Sequence, residues 1–215
     1  MRIYTYAAGD LAKQMPAREK GLAAREALSP VVAYWPSEIG ALNRKFGSKF
    51  RLLKGTECDI LADGSLDYPD DLLKELDYTV CSIHSKFSLG RSPQTQRILR
   101  AMDNQHFTIL GHGTGRKLLR RPGYEIDVER VIGHARQNGC FIDINSNPNR
   151  LDFSSANARL ARNAGVKIAI NTDAHSVGEF EFITGGIEQA RRAGLDKASI
   201  LNCMRLAELR REIHR

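Results

Sequence analysis

Short apolar runs alternate with segments of helical periodicity from about residue 50 to the end of the chain. Four runs are predicted strands, "YTVCSIH", "FTILGH", "CFIDIN" and "VKIAI", and "FRLLKGTECDIL" predicts a fifth strand that breaks at Gly55 and continues as extended chain. These runs are nearly continuous in apolar residues, as expected when both faces of a strand are covered. The pattern therefore predicts parallel strands joined by helices.

The segments between the runs predict helices with recognisable ends. Ser92 is the predicted N-cap of "SPQTQRILRAMDN", and Gly139 ends "DVERVIGHARQNG". Pro69 opens the helix in "YPDDLLKEL", and "KASILNCMRLAELRREI" predicts the last helix. No glycine-rich nucleotide fingerprint follows a strand, which disfavours a dinucleotide-binding sheet. We therefore expect an α/β fold that is a βα barrel, or most of one.

Residues 1–49 show a different pattern. "AKQMPAREKGLAAREALSP" is basic and compatible with a helix, and "PSEIGALNRKFG" predicts a second helix with Ser37 as N-cap. No run in this region predicts a strand. The expected organisation is a divergent or truncated, mostly helical portion over residues 1–49, followed by the barrel core over residues 50–215.

Composition narrows the class of protein and of partner. The 215 residues suit one domain, and the absence of an apolar run of about eighteen residues excludes a membrane span. The first residues lack the apolar stretch of a secretion signal, so a cytoplasmic location is expected. The formal charge of +7 favours an anionic partner such as nucleic acid or a phosphorylated small molecule.

Polar residues follow the predicted strands at their carboxyl ends, where βα barrels assemble their active sites. Three of the six histidines of the chain lie at such positions. Carboxylate and imidazole together suit Zn²⁺, Mn²⁺ or Fe²⁺, and such ions promote hydrolysis of phosphate esters. The predicted ligands and polar neighbours are Glu57, His84, His112, Asn145, Asn147, Asp173 and His175.

A structural origin competes with the metal site for each residue taken alone. A single histidine after a strand is more often a hydrogen-bonded structural residue than a ligand, and Asp173 could cap the next helix. The joint pattern of five potential ligands at four strand ends favours the metal site. The predicted substrate-binding residues beside it are Arg116, Asn145, Asn147 and Arg150, which could orient an anionic substrate, since arginine grips phosphate with two hydrogen bonds.

At this point the motifs resemble a known family. "LKGTECDILADGSLDYPDDLLKELDYTVCSIHSKF", "ILGHGTGR", "INSNPNRLDF" and "INTDAHS" are similar to the PHP (polymerase and histidinol phosphatase) domain attached to bacterial family X DNA polymerases. The resemblance implies a distorted seven-stranded βα barrel that holds up to three metal ions and hydrolyses phosphoesters. For the polymerase-attached form it implies a Mn²⁺-dependent 3′–5′ exonuclease that also trims 3′ phosphates in DNA repair.

The resemblance also implies roles for individual residues. Glu57 matches the bridging carboxylate of the family, and His84 and His112 match two of its histidine ligands. Asp173 and His175 match the closing pair of ligands, so Glu57 and Asp173 are the expected catalytic carboxylates. The ligand set that remains implies one or two ions.

The chain also departs from the family pattern. The family opens with an H-x-H pair and a later D-H pair, whereas the first histidine of this chain is His84. Where the D-H pair would fall, the chain has Ala17 and Arg18. We therefore expect an N-terminally truncated, incomplete barrel with fewer ligands and weakened activity.

Three functions remain open on the sequence. The leading one is a metal-dependent phosphoesterase of the exonuclease and 3′-phosphatase type, acting on DNA 3′ ends without polymerase activity. The second is a catalytically dead remnant that only binds nucleic acid or a partner. The third is a small-molecule phosphatase of the histidinol-phosphatase type.

Overall fold

A computed structural model describes residues 38–48 and 50–213. The predictions for residues 1–37, including the N-cap Ser37, and for His214 lie outside these residues. The strands are β1 (Gly55–Asp59), β2 (Tyr78–Ser82), β3 (Ile109–Leu110), β4 (Phe141–Asn145) and β5 (Ile168–Asn171). The helices are α1 (38–46), α2 (Asp70–Leu73), α3 (Arg91–Met102), α4 (Val128–Asn138), α5 (Ser155–Asn163), α6 (Ile183–Ala193) and α7 (Leu206–Ile213).

The five strands form one parallel sheet in the order β1-β2-β3-β4-β5. Glu57 pairs with Val80 across β1 and β2, and Asn145 pairs with Asn171 across β4 and β5. Since all five strands run parallel, their carboxyl ends lie along one edge of the sheet. The predicted α/β class with parallel βα units is confirmed. The described residues carry five strands of the expected barrel.

Two helix predictions were wrong in detail. Helix α3 begins at Arg91 with Gly90 as N-cap, so Ser92 lies inside the first turn. The predicted helix from Lys197 onwards is instead two 3₁₀ turns, Lys197–Ser199 and Leu201–Cys203, followed by α7. Gly139 does end α4 in a left-handed conformation, with a φ of 66°, as predicted.

The two faces of the sheet carry different residues because side chains alternate along each strand. One face packs against α3, α4, α5 and α6 and forms the larger core. Its strand residues are Cys58, Cys81, Leu110, Ile142, Ile144, Ile168 and Ile170, and Ile83 directly after β2 joins them. The other face carries a smaller apolar cluster, in which Tyr78, Ile109, Phe141 and Ala169 pack with Leu209 of α7.

The outer edge of β5 is covered by a side chain. The Ile170 amide donates to Asn202 Oδ1 over 2.7 Å, and Asn202 Nδ2 donates to the Ile170 carbonyl over 2.9 Å. Asn202 therefore satisfies two backbone groups that a further strand would otherwise pair, which blocks edge-to-edge association at this point.

Among the described residues, every helix is too short or too polar to span a membrane.

A buried arginine joins the loops that follow β1 and β2. Arg97 in α3 has no exposed surface. Its Nε donates to the Leu61 carbonyl over 2.7 Å, Nη1 donates to the Ser85 carbonyl over 2.9 Å, and Nη2 donates to the Ile60 carbonyl. Burial lowers the pKa of Arg97. One guanidinium thus joins three carbonyls on two loops, and of these the Leu61 carbonyl also accepts from the Gly64 amide over 3.0 Å.

Replacing Arg97 by leucine is expected to lower the free energy of unfolding by about 3 kcal/mol, because each orphaned buried carbonyl costs about 1 to 3 kcal/mol. Urea unfolding measures the change. Arg100→Leu, at an exposed position of the same helix, is the matched control and should change stability by less than about 0.5 kcal/mol. Equal losses in the two variants would show that Arg97 does not hold the loops together.

Candidate metal centre

A carboxylate and two imidazoles converge at the carboxyl end of the sheet. Glu57 lies in β1, His84 follows β2 and His112 follows β3. Glu57 Oε1 lies 3.0 Å from His112 Nε2 and 3.2 Å from His84 Nε2, and the two Nε2 atoms are 3.2 Å apart. All three donor atoms lie within 4.8 Å of one another. Neighbouring strands thus bring three sequence-predicted ligands to one point.

These separations fit a divalent metal ion. Ligand atoms about 2.0 to 2.2 Å from one ion lie about 2.8 to 3.6 Å apart at tetrahedral or octahedral angles. The three measured separations fall inside that range. A site with two histidines and one glutamate also resembles catalytic zinc sites, which use three protein ligands and keep a position open for water or substrate. The donor set therefore suits a reactive ion.

Asp59 fixes the orientation of His84. The His84 Nδ1–H donates to Asp59 Oδ1 over 2.5 Å, which leaves Nε2 directed at Glu57 and His112. A carboxylate behind a ligating imidazole is the arrangement that orients such ligands in metal sites. Burial opposes the charge on His84, but hydrogen bonds to Asp59 and Glu57 outweigh it and raise the pKa of His84 to about 9.

Glu57 is held ionised by its two histidine partners. Burial alone would raise the pKa of the Glu57 carboxyl, but hydrogen bonds from His112 and His84 outweigh it and hold the pKa far below its usual range. The ionised Glu57 carboxylate thus faces two imidazole Nε2 atoms, an arrangement that suits a cation.

Asp173 faces the same cavity as Glu57 and His112. The cavity, of about 50 Å³, is lined by Glu57, His112 and Asp173 among others. Asp173 Oδ2 accepts a hydrogen bond from Asn145 Nδ2 over 3.1 Å and lies 3.4 Å from Arg150 Nε. Since a water molecule needs about 15 Å³ of such space, the cavity has room for an ion and one or two waters.

Three other predicted site residues engage the backbone. His175 is exposed, and its Nδ1 donates to the Asp173 carbonyl over 2.9 Å. The Asn147 side chain accepts from the Asn149 amide over 3.0 Å. Arg116 donates from Nε to the Arg150 carbonyl over 2.9 Å and from Nη2 to the Leu151 carbonyl. Contacts of His175 with metal, and of Asn147 and Arg116 with substrate, stay predictions.

Two predicted ligands have left-handed backbone conformations. The φ angle is 29° at His112 and 53° at Asp173. Such angles are unfavourable for residues other than glycine and cluster at functional sites, where the surrounding structure maintains them. Each residue lies two positions after the end of its strand, β3 or β5, and both line the cavity at the carboxyl end of the sheet.

Sequence reasoning missed two acids on this face of the sheet, Asp59 and Asp143. Asp59 lies two residues after Glu57, and strand alternation places both on the same face. Asp143 lies two residues before Asn145 and accepts from Asn171 Nδ2 over 2.9 Å. Burial raises the pKa of Asp143 well above its usual range. The signal was available, since an acid inside an apolar run such as "FIDIN" requires a partner.

Comparison with known proteins adds relatives that share this sequence pattern. No protein-family model matches the chain. Over 172 residues the chain is 41% identical to the DNA polymerase/3′-5′ exonuclease PolX of Bacillus subtilis (strain 168), covering 80% of this chain and 30% of the polymerase. The chain contains a PHP domain. This result confirms the family resemblance found in the motifs.

Other relatives of the PHP domain carry phosphatase names. A probable phosphatase of Thermoanaerobacter sp. (strain X514) is 34% identical over 164 residues, which cover 70% of this chain and 63% of that protein. The crystal structure of histidinol phosphate phosphatase from Lactococcus lactis, complexed with zinc, L-histidinol and phosphate, matches with a TM-score of 0.52 at 14% identity. That match covers 77% of this chain and 75% of the other and supports the fold. The chain thus spans less than two thirds of the length of either sequence relative.

Proposed function

We propose that this chain is a metal-dependent phosphoesterase that hydrolyses phosphate esters at nucleic-acid 3′ ends. The observation that carries the proposal is the convergence of Glu57 Oε1, His84 Nε2 and His112 Nε2 within 4.8 Å. A divalent ion held there, Mn²⁺ or Zn²⁺ with Fe²⁺ as a third choice, would lower the pKa of a bound water and stabilise negative charge on the phosphoryl group. We place the protein in the cytoplasm.

Individual residues have separate roles in the proposed hydrolysis. Glu57, His84 and His112 bind the ion, and Asp59 holds the His84 ring by its Nδ1–H so that Nε2 is free to ligate. Asp173 is placed by Asn145 and Arg150 on the wall of the same cavity. Its Oδ2 can complete the ligand set or accept a proton from the attacking water. Arg150 offers a cation to the phosphate.

A nucleic-acid substrate is favoured over a small phosphorylated molecule by charge and by ancestry. The chain carries a formal charge of +7, and its relative at 41% identity is named a DNA polymerase and 3′-5′ exonuclease. Basic proteins attract phosphate backbones through long-range electrostatics. By contrast, the histidinol phosphatase shares only 14% identity and supports the fold rather than the substrate.

The test is hydrolysis by the purified chain with Mn²⁺, Zn²⁺ or Fe²⁺. The substrates are a 3′-phosphorylated oligonucleotide, the same strand with a 3′ hydroxyl, and histidinol phosphate. We expect phosphate release or 3′ shortening on the oligonucleotides with at least one metal. Faster turnover of histidinol phosphate would favour the small-molecule function. Failure with every substrate and metal would favour the inactive remnant.

His84→Ala should abolish this hydrolysis, whereas His134→Ala is the matched control. His134 also pairs with a carboxylate, Asp103 at 2.8 Å, but it lies on the surface of α4 away from the site. Loss of activity in His84→Ala alone would support the proposed centre. Equal activity in both variants would identify a contaminating enzyme or a different site.

A further inference from the structure

A short hairpin beside the metal centre combines exposed cations with an exposed leucine. Residues 117–121 close on themselves, since the Lys117 amide donates to the Arg121 carbonyl over 2.9 Å and the Arg121 amide donates back over 2.8 Å. Leu119 at the tip is fully exposed, with a relative accessibility of 107%, and has a φ of 59°. A leucine held outward in this way contributes nothing to the core.

The hairpin is anchored rather than loose. Arg121 Nη2 donates to the Gly115 carbonyl over 2.6 Å, and its guanidinium carbon lies 3.8 Å from the centre of the Phe87 ring. That ring stacks on Tyr124, which is buried. The cation–π contact with Phe87 stabilises the position of Arg121 in addition to the hydrogen bond. The base of the hairpin is therefore fixed while its tip stays in solvent.

The hairpin also connects to the metal centre. The Leu118 amide donates to the Asn149 carbonyl over 2.7 Å, and the next residue, Arg150, lies 3.4 Å from Asp173. The positive charge of Arg150 lowers the pKa of Lys117, with burial and the charges of Arg121 and Arg120 acting in the same direction. This crowding of like charges favours binding of an anion.

Neither Lys117 nor Arg120 forms an ion pair with an acid within the part of the chain that the structure describes. Both are exposed, and they flank the two leucines of the tip. Cations that contact phosphates beside an apolar side chain that presses on a base are a known way to hold nucleic acid. The pattern therefore fits a strand whose backbone passes Lys117 and Arg120.

We propose that residues 117–121 bind the end of a nucleic-acid strand, with Lys117 and Arg120 on phosphates and Leu119 against the terminal base. The inference rests on the proposed function, because it assigns the residues that bind the nucleic-acid substrate of that same site. In this arrangement the hairpin would present the scissile phosphate to the cavity that Glu57 and Asp173 line.

The test is binding of a fluorescein-labelled, 3′-phosphorylated single-stranded oligonucleotide, measured by anisotropy in chelator at several salt concentrations. This assay contains no metal and measures no hydrolysis. Its result is therefore independent of the hydrolysis test, and either proposal can be contradicted while the other stands. Each phosphate contact contributes about 0.7 to the salt slope for a single strand, so Lys117→Gln combined with Arg120→Gln should reduce the slope by about 1.4. The affinity should fall about tenfold or more at low salt.

Leu119→Ser should weaken binding by about tenfold with an unchanged salt slope, because it removes only the apolar contact with a base. Arg192→Gln combined with Lys197→Gln is the control, since both residues are exposed and the net charge changes equally. The proposal is overturned if the hairpin and control variants bind alike, or if the intact chain binds no oligonucleotide. Binding to anionic phosphatidylserine vesicles in place of the strand would also overturn it.

Discussion

Glu57→Gln is expected to remove the bound metal and to reduce phosphoester hydrolysis by about a thousandfold. The carboxylate is the negative charge between His84 and His112, and the amide that replaces it has no charge to offer a cation. A metal ion that stabilises the transition state by about 4 kcal/mol accounts for a thousandfold, since each 1.36 kcal/mol is a factor of ten. Elemental analysis after gel filtration, together with initial rates, measures both effects.

Glu75→Gln is the matched control for this change. Glu75 is exposed, so its amide should leave metal content and rate unchanged. Thermal unfolding of both variants checks that Glu57→Gln is folded, since loss of the fold would also lose the metal. Stoichiometric metal in a folded Glu57→Gln protein would show that the ion lies elsewhere.

Metal affinity should rise steeply with pH. The pKa of His84 is about 9 in the metal-free site, so one proton must leave Nε2 for each ion bound at neutral pH. The apparent association constant should therefore increase about 200-fold between about pH 6 and about pH 8.5. A histidine with an ordinary pKa of about 6.5 would give roughly a fourfold increase. Titration with Mn²⁺ at a series of pH values measures the difference.

Asp59→Asn provides the control for the pH effect. Removing this charge lowers the pKa of His84, so the metal affinity of the variant should depend less steeply on pH. At low pH the variant should bind the metal more tightly than the intact chain. At high pH it should bind more weakly, because the imidazole is less basic and less well oriented. The two binding curves are thus expected to cross. Parallel curves would mean that Asp59 does not set the protonation of His84.

The same proton has the opposite effect on the metal-free fold. Because the pKa of His84 is raised, its contribution to stability is complete below about pH 6.5 and is lost as pH rises through about 9. The lowered pKa of Glu57 gives a contribution that is present above about pH 4.5 and is lost as pH falls further. High pH therefore lowers the stability of the metal-free fold and raises its affinity for the metal.

The strands could be predicted from the sequence because they are buried on both faces and their residues are therefore mostly apolar. Phe141 to Asn145 is buried throughout, and "CFIDIN" shows this directly. His84 and His112 follow such runs as predicted, whereas Glu57 lies inside β1, because this strand begins at Gly55, where the sequence predicted a break. For these residues, position along a strand was enough to predict proximity.

Other features depend on interactions that the local sequence does not encode. The region from Lys197 breaks into 3₁₀ turns, and there the Asn202 side chain pairs with the edge of β5. The placement of His175 depends on the turn at Asp173, whose φ of 53° no pattern of residues predicts. The boundary predicted at residue 49 stays a prediction, because most of residues 1–49 lie outside the described ranges.

The most direct test of the metal centre is anomalous X-ray scattering from crystals grown with Zn²⁺ or Mn²⁺. The expected result is a strong anomalous peak about 2.0 to 2.3 Å from Glu57 Oε1, His84 Nε2 and His112 Nε2. A peak bound by other residues, or no peak at this point in crystals soaked above pH 8, would contradict the assignment of these three residues as the metal-binding core of the site.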